Sequence, residues 1–591
     1  MALWGTEKED VQDNLTESNK ERVSGAELLV RFLEQKGVTQ VYGIPGAGIL
    51  PVYDVILDSD KITSFNVRHE QMAIFMADGY SRVTGKVGVC AATSGPGATN
   101  FLTGLYSAYV DSVPLIALTG QVPTMYLGKD AFQEAPMVEM ARPVTKGAYL
   151  LTKVEDLPEV LKEAWQLATT GRKGPVLLDL PLDVQKSSVD VDLNEFLACE
   201  EEEILPKASD EELNTAWQLI CTAEQPVLLV GGGLVLADAS EELRSVAELL
   251  QIPVVSSLMG KDSFPNDHPL YAGMMGTMCQ TPLGNKTILE SDLVINLGGR
   301  FDGRSTGTVG VFKEGRKIIH VNIDSKELGR HVETDVSIKA DVKDFLQRLA
   351  KLIRESGYIV DVRKTQKVIA LQIERLKLAR QTKFETFPMK PQQAIAELRE
   401  CLKRDAIVTL DCGISQIWAT QLFEAYEPRT FLITGRAGTM GWGLGAALAA
   451  KLAKPDVQAV NLVGDASLGM SLQDLATAAK HNIPVVVFLL NNSLFGLIRQ
   501  QQNLFYSQRW ISTELDYENM EMGHNRGVDF VQTARGMGVA GELVQKPEEI
   551  KPALERAFAS GRPYLIEVLV DPFAVCPVSM DGTIKGVAET V

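Results

Sequence analysis

The clearest fold signal in this chain is the segment GDASLGMSLQDLATAAKHNIPVVVFLLNN, residues 464–492. The apolar run QAVNLV precedes it, and the segment contains a helical pattern and a second apolar run that ends at Asn491-Asn492. A strand, a crossover helix and a second strand predict one βαβ unit of a buried parallel sheet. Asp465 and Asn492 follow the two strands, so we expect both side chains at the carboxyl edge of the sheet, where open α/β folds bind ligands.

Asp465 and Asn492 are also spaced to share a cation. About one βαβ crossover separates them, so a carboxylate oxygen and an amide oxygen can converge at the sheet edge. With a backbone carbonyl and diphosphate oxygens, they would form the oxygen shell that octahedral Mg²⁺ prefers. The plainer alternative is an aspartate that caps a helix and an asparagine in a turn. The spacing favours the cation site.

Short apolar runs alternate with helical patterns along nearly the whole chain, as in VGVCAAT, PVLLVGGG and AIVTLDCG. This alternation predicts an α/β protein with three doubly wound parallel-sheet domains. Two charged segments, residues 187–207 and 374–391, are expected to be linkers. The expected parts are a disordered tail at 1–21 with the first helix near Val23, domains at 22–188, 205–350 and 390–570, and a C-terminal tail at 571–591.

Composition excludes several classes of protein. The 591 residues include 58 Lys+Arg and 76 Asp+Glu, a net charge of −18 that argues against nucleic-acid or anionic-membrane partners. The chain contains no unbroken apolar run of about 18 residues, so we expect no membrane span. Seven cysteines without a CxxC pair argue against a disulfide framework. These features, with a polar N-terminus, predict a cytoplasmic protein.

The spacing within residues 464–492 resembles that of thiamine diphosphate enzymes, and ordered motifs extend the resemblance over residues 22–585. The chain is similar to the acetolactate synthase and glyoxylate carboligase group. The resemblance implies a pyrimidine-binding domain, a central FAD-type domain and a diphosphate-binding domain. The matching motifs are RHEQMAIFMADGYSRVTGK and SGPGATN in the first domain, GQVPTMYLGKDAFQE in a substrate-side loop, and LMGKDSFPNDHPLYAGMMG and GGRFDGRSTG in the central domain.

The resemblance implies specific catalytic roles. Glu70, in RHEQ, matches the glutamate that hydrogen-bonds the cofactor's aminopyrimidine ring and favours the tautomer that removes the thiazolium C2 proton. Met440, in GTMGWG, matches the apolar residue between the two cofactor rings, and the carbonyl of Gly438 is expected against the pyrimidine amine. Considered alone, Glu70 would be a surface glutamate and Met440 a core residue that fills a gap.

The same resemblance implies the remaining site residues and cofactors. Mg²⁺ is expected on Asp465, Asn492 and the backbone carbonyl of Leu494. The other residues expected around the thiamine diphosphate are Gly464, Ala466, Ser467 and Gly496. FAD, expected to be structural, is assigned to Gly231, Gly232, Arg300 and Asp324. Gln121 and Gln133 are expected as catalytic residues near the reacting centre. The residues expected to contact the substrate are Phe132, Leu182, Arg304 and Gln501, and among them Arg304 could pair with a 2-oxo acid carboxylate.

Three positions depart from the acetolactate synthase pattern. Leu182 replaces a lysine and Gln501 replaces a tryptophan, and both changes favour glyoxylate carboligase. Gly303 replaces an aspartate and fits neither group. Glu70 favours the acetolactate synthases, because glyoxylate carboligase has an apolar residue at that position. Loss of the tryptophan predicts only a weak preference for 2-oxobutyrate as acceptor.

The resulting functional prediction is a decarboxylating carboligase, acetolactate synthase-like, that joins two small 2-oxo acids through a thiamine-bound carbanion with pyruvate as the leading donor. The alternatives are a glyoxylate carboligase, a flavin-dependent 2-oxo acid oxidase and a catalytically inactive regulatory relative. Because Glu70 and Asp465 lie in different domains, which in this family meet across a subunit interface, a homodimer or homotetramer is expected. A separate regulatory subunit is a further expected partner.

Overall fold

A computed structural model describes residues 20–198, 204–516 and 527–587. The described chain forms three six-stranded sheets, and every strand pair within them is parallel. The prediction of three doubly wound α/β domains is therefore confirmed. Of the expected disordered tail, residues 1–19 lie outside the described residues.

The N-terminal domain contains a sheet with the strand order β3-β2-β4-β5-β7-β6, and β1 pairs with β8 in a separate antiparallel ribbon. The strands are β1 Glu21–Ser24, β2 Gln40–Ile44, β3 Thr63–Asn66, β4 Gly88–Ala92, β5 Leu115–Gln121, β6 Gly147–Leu150, β7 Pro175–Pro181 and β8 Ser188–Val191. The helices are α1 Gly25–Gln35, α2 Leu50–Leu57, α3 Glu70–Thr84, α4 Pro96–Thr99, α5 Leu102–Asp111, α6 Met137–Ala141, α7 Leu157–Thr169, α8 Leu182–Lys186 and α9 Leu193–Ala198.

The middle domain has the strand order β11-β10-β9-β12-β13-β14. Counted from its own first strand this is 3-2-1-4-5-6, the order of dinucleotide-binding folds. The strands are β9 Pro226–Val230, β10 Val254–Ser256, β11 Tyr271–Met274, β12 Leu293–Leu297, β13 Lys317–Asn322 and β14 Val336–Lys339. The helices are α10 Asp210–Thr222, α11 Gly232–Leu236, α12 Ser240–Leu250, α13 Pro282–Glu290, α14 Gly303–Thr306, α15 Val309–Lys313, α16 Val342–Glu355 and α17 Val362–Lys377.

The C-terminal domain has the order β16-β15-β17-β18-β20-β19. Renumbered within each domain, the N-terminal and C-terminal sheets both have the order 2-1-3-4-6-5, so the two domains share one topology. The strands are β15 Ile407–Leu410, β16 Phe431–Ile433, β17 Ala459–Gly464, β18 Val486–Asn491, β19 Ala540–Val544 and β20 Tyr564–Leu569. The helices are α18 Pro391–Cys401, α19 Ile414–Leu422, α20 Trp442–Ala453, α21 Asp465–Gly469, α22 Leu475–Lys480, α23 Gly496–Phe505, α24 Phe530–Gly536 and α25 Pro547–Ala559.

Helices α3 and α20 join the N-terminal and C-terminal domains in one hydrophobic core. Two glycines allow their backbones to approach closely. A Cβ atom on Gly79 would lie 2.4 Å from the Ala446 Cα, and one on Gly445 would lie 2.7 Å from the Met72 sulfur. A side chain at Gly79 would therefore force the two helices apart. This contact fixes the orientation of α3, which begins at Glu70.

Four segments differ from the expectations for linkers and termini. The chain enters the fold through the short strand β1 before α1 begins at Gly25, and the predicted linker at 187–207 contributes β8 and α9. The second predicted linker begins inside helix α17. The expected C-terminal tail packs on the middle domain, because Ile584 is buried and its carbonyl accepts a hydrogen bond from Asn285. Short strands and isolated apolar residues give too weak a periodic signal to predict such contacts.

None of the helices in the described part of the chain is long and apolar enough to cross a membrane.

Candidate functional site

A cavity of about 140 Å³ lies at the carboxyl edge of the C-terminal sheet. It adjoins the ends of β15, β17 and β18, beside the point where the strand order reverses, which is where ligands bind in open α/β sheets. Its described lining residues all lie between Pro391 and Ala574. Among the predicted residues, those that line it are Met440, Gly464, Asp465, Ala466, Ser467, Asn492, Leu494 and Gly496.

Asp465 is the best candidate for a cation ligand in this cavity. It follows the last residue of β17 and begins α21, and its side chain is 5% exposed. Its Oδ2 atom has no hydrogen-bond partner among the described residues. Burial raises the pKa of Asp465 to about 7, and backbone N–H groups of Ala466 and Ser493 oppose this rise. A cation at Oδ2 would satisfy this buried atom and stabilise the ionised carboxylate.

Asn492 follows the last residue of β18 and lines the same cavity as Asp465. Its Oδ1 accepts a hydrogen bond of 3.2 Å from the Leu494 N–H, which leaves a second lone pair for another partner. Ser493 has a φ of +53°, so the chain turns sharply at this point. In the described residues no group of three His, Cys, Asp or Glu side chains could hold a metal ion. The arrangement instead offers one carboxylate, one amide and backbone carbonyls, which fits Mg²⁺ on a diphosphate.

The loop Ile433–Trp442 carries Gly438 and Met440. Gly438 has a φ of +60°, which favours glycine, and the Thr439 N–H donates to the Thr434 hydroxyl at 3.1 Å and closes the loop. Met440 lines the cavity. The loop therefore presents Met440 beside the Asp465 site, as the resemblance implies.

Asp411, which the sequence analysis did not identify, is a buried carboxylate next to Cys412, a residue that lines the cavity. It follows β15, is fully buried, and accepts a hydrogen bond of 2.5 Å from the Gly443 N–H in the first turn of α20. Burial raises its pKa to about 7, although backbone N–H groups of the same turn lower it. Its position directly after the apolar run IVTL was the available signal, because strand ends in this sheet line the cavity.

Glu70 is the first residue of α3 and is half-buried. Its Oε2 accepts a hydrogen bond of 2.9 Å from the side-chain amide of Asn100, a partner that the sequence analysis did not identify. Glu70 is not among the residues that line the Asp465 cavity. Within this single chain, the structure therefore does not place the carboxylate of Glu70 in that cavity.

The side-chain amide of Gln121 is hydrogen-bonded to other protein groups, which the sequence did not indicate. Its Nε2 donates to the Ala135 carbonyl at 2.8 Å and to Asp179 at 3.0 Å, while its Oε1 accepts from the Val122 N–H. Both ends of the amide are therefore engaged by the protein. Gln133 has a φ of +60° and packs its backbone against Gly95. Phe132 next to it is 88% exposed.

A second cavity, of about 310 Å³, lies at the reversal point between β9 and β12 of the middle domain. Residues of the other two domains, among them Arg82, Asp111 and Ile433, also line this middle-domain cavity. A Cβ atom on Gly231 would lie 2.4 Å from the Gly299 Cα, so only glycine allows this approach. Asn296 Oδ1 and Glu327 Oε2 are buried beside it without hydrogen-bond partners in the described chain. The predicted flavin residues that line this cavity are Gly231, Gly232, Arg300 and Asp324.

The substrate-side residues are separated in this chain. Arg304 donates to the Gly435 carbonyl at 3.3 Å and to the Cys279 sulfur at 3.4 Å. Leu182 begins α8 and Gln501 lies in α23, and neither lines the two cavities described above.

Family models match all three domains of the chain. They are the thiamine pyrophosphate enzyme N-terminal TPP binding domain at residues 23–140, the central domain at 213–349 and the C-terminal TPP binding domain at 411–568. The chain belongs to the thiamine pyrophosphate enzyme family. The predictions of this family, of an enzyme and of thiamine diphosphate as cofactor are therefore confirmed.

This thiamine pyrophosphate enzyme aligns with several curated relatives over most of its own length and most of theirs. A probable acetolactate synthase large subunit of Methanocaldococcus jannaschii is 40% identical over 570 residues, which are 95% of this chain and 94% of the relative. The acetolactate synthase large subunit of Corynebacterium glutamicum is 40% identical over 93% of this chain and 87% of the relative. A glyoxylate carboligase of Escherichia coli O157:H7 is 37% identical over 94% of both chains. These similarities place the enzyme in the carboligase group.

The buried carboxyl group of Asp179 should make the stability of this thiamine pyrophosphate enzyme depend on pH. Burial raises its pKa to about 7 despite hydrogen bonds from Thr119 and Gln121. The folded state therefore binds a proton more tightly than the unfolded state, and this group's contribution to stability is lost as pH rises from about 4 to about 7. Asp179→Asn resembles the protonated acid, so relative to wild type it should gain on the order of 3 kcal/mol in free energy of unfolding between pH 5 and pH 8.

Denaturant unfolding at both pH values measures this gain, and Asp183→Asn provides a control without a pH-dependent effect. Burial would raise the pKa of Asp183, but hydrogen bonds from the Thr124 hydroxyl and N–H lower it overall. Asp183 is therefore ionised in both the folded and the unfolded state at pH 5 and at pH 8, so the stability difference between Asp183→Asn and wild type should be the same at these two pH values. A pH-independent difference between Asp179→Asn and wild type would contradict the assignment.

Proposed function

We propose that this enzyme is a decarboxylating carboligase that joins two small 2-oxo acids, with pyruvate as donor and acetolactate as product. The observation that carries the proposal is the unpaired, buried oxygen of Asp465 in the cavity that Asn492 also lines, at the strand ends of a thiamine pyrophosphate-binding domain. Glu70 and Met440 supply the residue types that such an enzyme needs near the cofactor rings. The names of its relatives support the reaction class.

The two cavities fit the expected cofactors. Asp465, Asn492 and the Leu494 carbonyl would hold Mg²⁺, and the turn from Gly464 to Ser467 would bind the diphosphate at the start of α21. When bound, thiamine diphosphate supplies the carbanion chemistry that the side chains lack. The middle-domain cavity would hold FAD, with its phosphates near the close Gly231 approach and Arg300 beside it. We propose that this flavin is structural.

In the proposed reaction, side chains of this enzyme move a proton, contact the cofactor rings and orient the substrate. Glu70 holds or moves a proton at the aminopyrimidine ring, where a carboxylate can stabilise one tautomer. Met440, which lines the cavity from the Ile433–Trp442 loop, would pack against the cofactor rings and favour a bent arrangement of them. Arg304 orients the carboxylate of the 2-oxo acid, since a guanidinium can form two parallel hydrogen bonds with it. Gln121, Gln133 and Phe132 shape the substrate side.

The proposed enzyme acts as a homodimer or homotetramer. The described lining of the Asp465 cavity includes no residue of the N-terminal domain, so a second subunit would supply Glu70. Several relatives are named large subunits, which supports a separate regulatory subunit as a further partner. We propose a cytoplasmic location, with neither nucleic acid nor membrane as partner.

The stoichiometry of pyruvate consumption tests the reaction. A carboligase consumes two pyruvate molecules for each CO₂ released and needs no oxidant. A flavin-dependent oxidase would release one CO₂ per pyruvate and bleach its flavin under anaerobic conditions, and an inactive regulatory relative would release none. A ratio of one pyruvate per CO₂, or no CO₂ release with bound thiamine diphosphate and Mg²⁺, would contradict the proposal.

Glyoxylate carboligase is the second candidate, and two observations favour it. Leu182 and Gln501 match the residue types of that group, and one of the relatives bears that name. Glyoxylate would then be both donor and acceptor, and tartronate semialdehyde the product. Glu70 favours the acetolactate synthase assignment over this candidate.

With glutamine at position 501, we expect the enzyme to discriminate only weakly between pyruvate and 2-oxobutyrate as acceptors. A pocket that rewards one extra methylene gains about 1–3 kcal/mol, and the tryptophan that would supply the contact is replaced by Gln501. With equal concentrations of pyruvate and 2-oxobutyrate, the ratio of the two products should remain below about ten in favour of 2-oxobutyrate. Gln501→Trp should raise this ratio. A wild-type ratio well above ten would show that another residue selects the acceptor.

A further inference from the structure

Helix α3 connects the predicted catalytic glutamate to a buried charge cluster. Glu70 begins the helix, and Asp78 and Arg82 lie two and three turns further along it. Twelve residues separate Glu70 from Arg82, which corresponds to about 18 Å of helix. Residues 72–83 are all buried, so α3 is held on every side and its two ends move together.

Arg82 contacts both ends of the loop Ile433–Trp442 that carries Met440. Its Nε and Nη2 atoms pair with Asp78 at 2.5 Å and with Asp111 at 3.1 Å. Its Nη1 donates to the Ile433 carbonyl at 2.9 Å, and its Cζ lies 5.1 Å from the centre of the Trp442 ring. One buried guanidinium from the N-terminal domain therefore contacts the loop where it leaves β16 and where it enters α20.

Asp111 contacts the same loop between these points. It is the last residue of α5, and it accepts hydrogen bonds from the Gly435 N–H at 2.8 Å and from the Arg436 N–H at 3.1 Å. The Nη2 atom of Arg300, which lines the middle-domain cavity, lies 4.0 Å from the Oδ1 atom of Asp111. The Asp111 carboxylate thus accepts hydrogen bonds from two successive N–H groups of the loop. Through these bonds and Arg300, this N-terminal-domain residue contacts both of the other domains.

We propose that Arg82 and Asp111 form an interdomain clamp that sets the position of the Met440 loop relative to the helix of Glu70. Both are positioning residues, because they act through the loop backbone, and the inference rests on the proposed function for the role of Met440. Buried ion pairs contribute little net stability compared with apolar packing. In this cluster the hydrogen bonds are directed at one functional loop, so we assign it to positioning.

Asp111→Asn tests the clamp without removing its volume. The Gly435 and Arg436 N–H groups donate to different oxygens of Asp111, and in asparagine one of those oxygens is replaced by an NH₂ group that opposes the N–H facing it. In the holoenzyme we expect hydrogen exchange at Gly435 and Arg436 to accelerate at least about tenfold and kcat to fall by about tenfold or more, because small displacements of positioning groups are costly. Thiamine diphosphate should also bind more weakly.

Asp292→Asn is the matched control. Asp292 likewise accepts hydrogen bonds from two successive backbone N–H groups, those of Glu224 and Gln225, but it lies within the middle domain. Asp292 is less buried than Asp111, so Asp292→Asn should lose less stability, and it should retain wild-type exchange in the Met440 loop. Equal losses of kcat in the two variants, or wild-type loop exchange in Asp111→Asn, would overturn the clamp.

Arg82→Lys provides a second variant in case Asp111→Asn does not fold. Lysine keeps the charge between Asp78 and Asp111 but lacks the planar set of donors that also reaches the Ile433 carbonyl. It should show the same faster exchange in the loop, and wild-type exchange would again overturn the clamp. Loop exchange and cofactor affinity need no substrate. A failure of the proposed reaction would therefore appear as missing product in wild type, with the clamp still tested.

Discussion

Replacing Glu70 with alanine is expected to lower turnover by at least about 100-fold, because a positioned acid–base group contributes about 10²–10⁴-fold. The fold should survive, since His69 caps α3 through the Gln71 N–H and does not need the Glu70 carboxylate. The step-specific measurement is the exchange of the thiamine C2 proton for deuterium in the bound cofactor. Both this exchange and turnover with pyruvate should fall together, while the thermal midpoint stays close to that of wild type.

Two controls distinguish the proton role of Glu70 from packing. Glu70→Gln can keep a hydrogen bond to Asn100 but removes the carboxylate, so it should be as impaired as the alanine variant. Glu159→Ala removes an exposed glutamate from the first turn of α7 and should retain wild-type turnover. Near wild-type C2 exchange in Glu70→Ala would refute the assigned role.

Replacing Asp465 with asparagine is expected to weaken Mg²⁺-dependent binding of thiamine diphosphate by at least about 100-fold, on the order of 3 kcal/mol. Asp465 is the one carboxylate of the proposed cation site, and its free oxygen is buried. A neutral amide leaves the cation without that charge and places hydrogen atoms where the metal would bind. Titration with thiamine diphosphate at fixed Mg²⁺ measures the loss, and chelation of Mg²⁺ should reproduce it in wild type.

Asp262→Asn is the matched control for Asp465. Asp262 is also a buried aspartate whose pKa burial raises, to about 6, but its carboxylate accepts the Thr430 and Phe431 N–H groups. Its replacement should leave the affinity for thiamine diphosphate within about threefold of wild type, because Asp262 does not line the Asp465 cavity. An unchanged affinity of Asp465→Asn for thiamine diphosphate at fixed Mg²⁺ would contradict the proposed metal site.

The fold was predictable because its signals are local. Apolar runs of strand length alternate with helical patterns, and this periodicity alone indicates parallel α/β domains. The pairing of β1 with β8 and the docking of Ile584 on the middle domain were not predictable, because they depend on a few residues that meet across long sequence separations. Such contacts leave no periodic pattern in the sequence.

The site was predictable in part for a similar reason. Asp465 and Asn492 follow strands, and strand ends converge in parallel sheets. Asp411, Asn100 and Arg82 were missed because their roles arise from contacts with distant backbone or side chains. The amide of Gln121 is another such case, since the sequence could not show that protein groups engage it at both ends.

Product analysis tests the central claim most directly. The purified enzyme would be incubated with thiamine diphosphate, Mg²⁺ and FAD, once with pyruvate and once with glyoxylate, and each product identified by mass and by isotope label. We predict acetolactate from pyruvate. Tartronate semialdehyde from glyoxylate alone would transfer the assignment to the second candidate, and decarboxylation without a new carbon–carbon bond from either substrate would contradict the carboligase function.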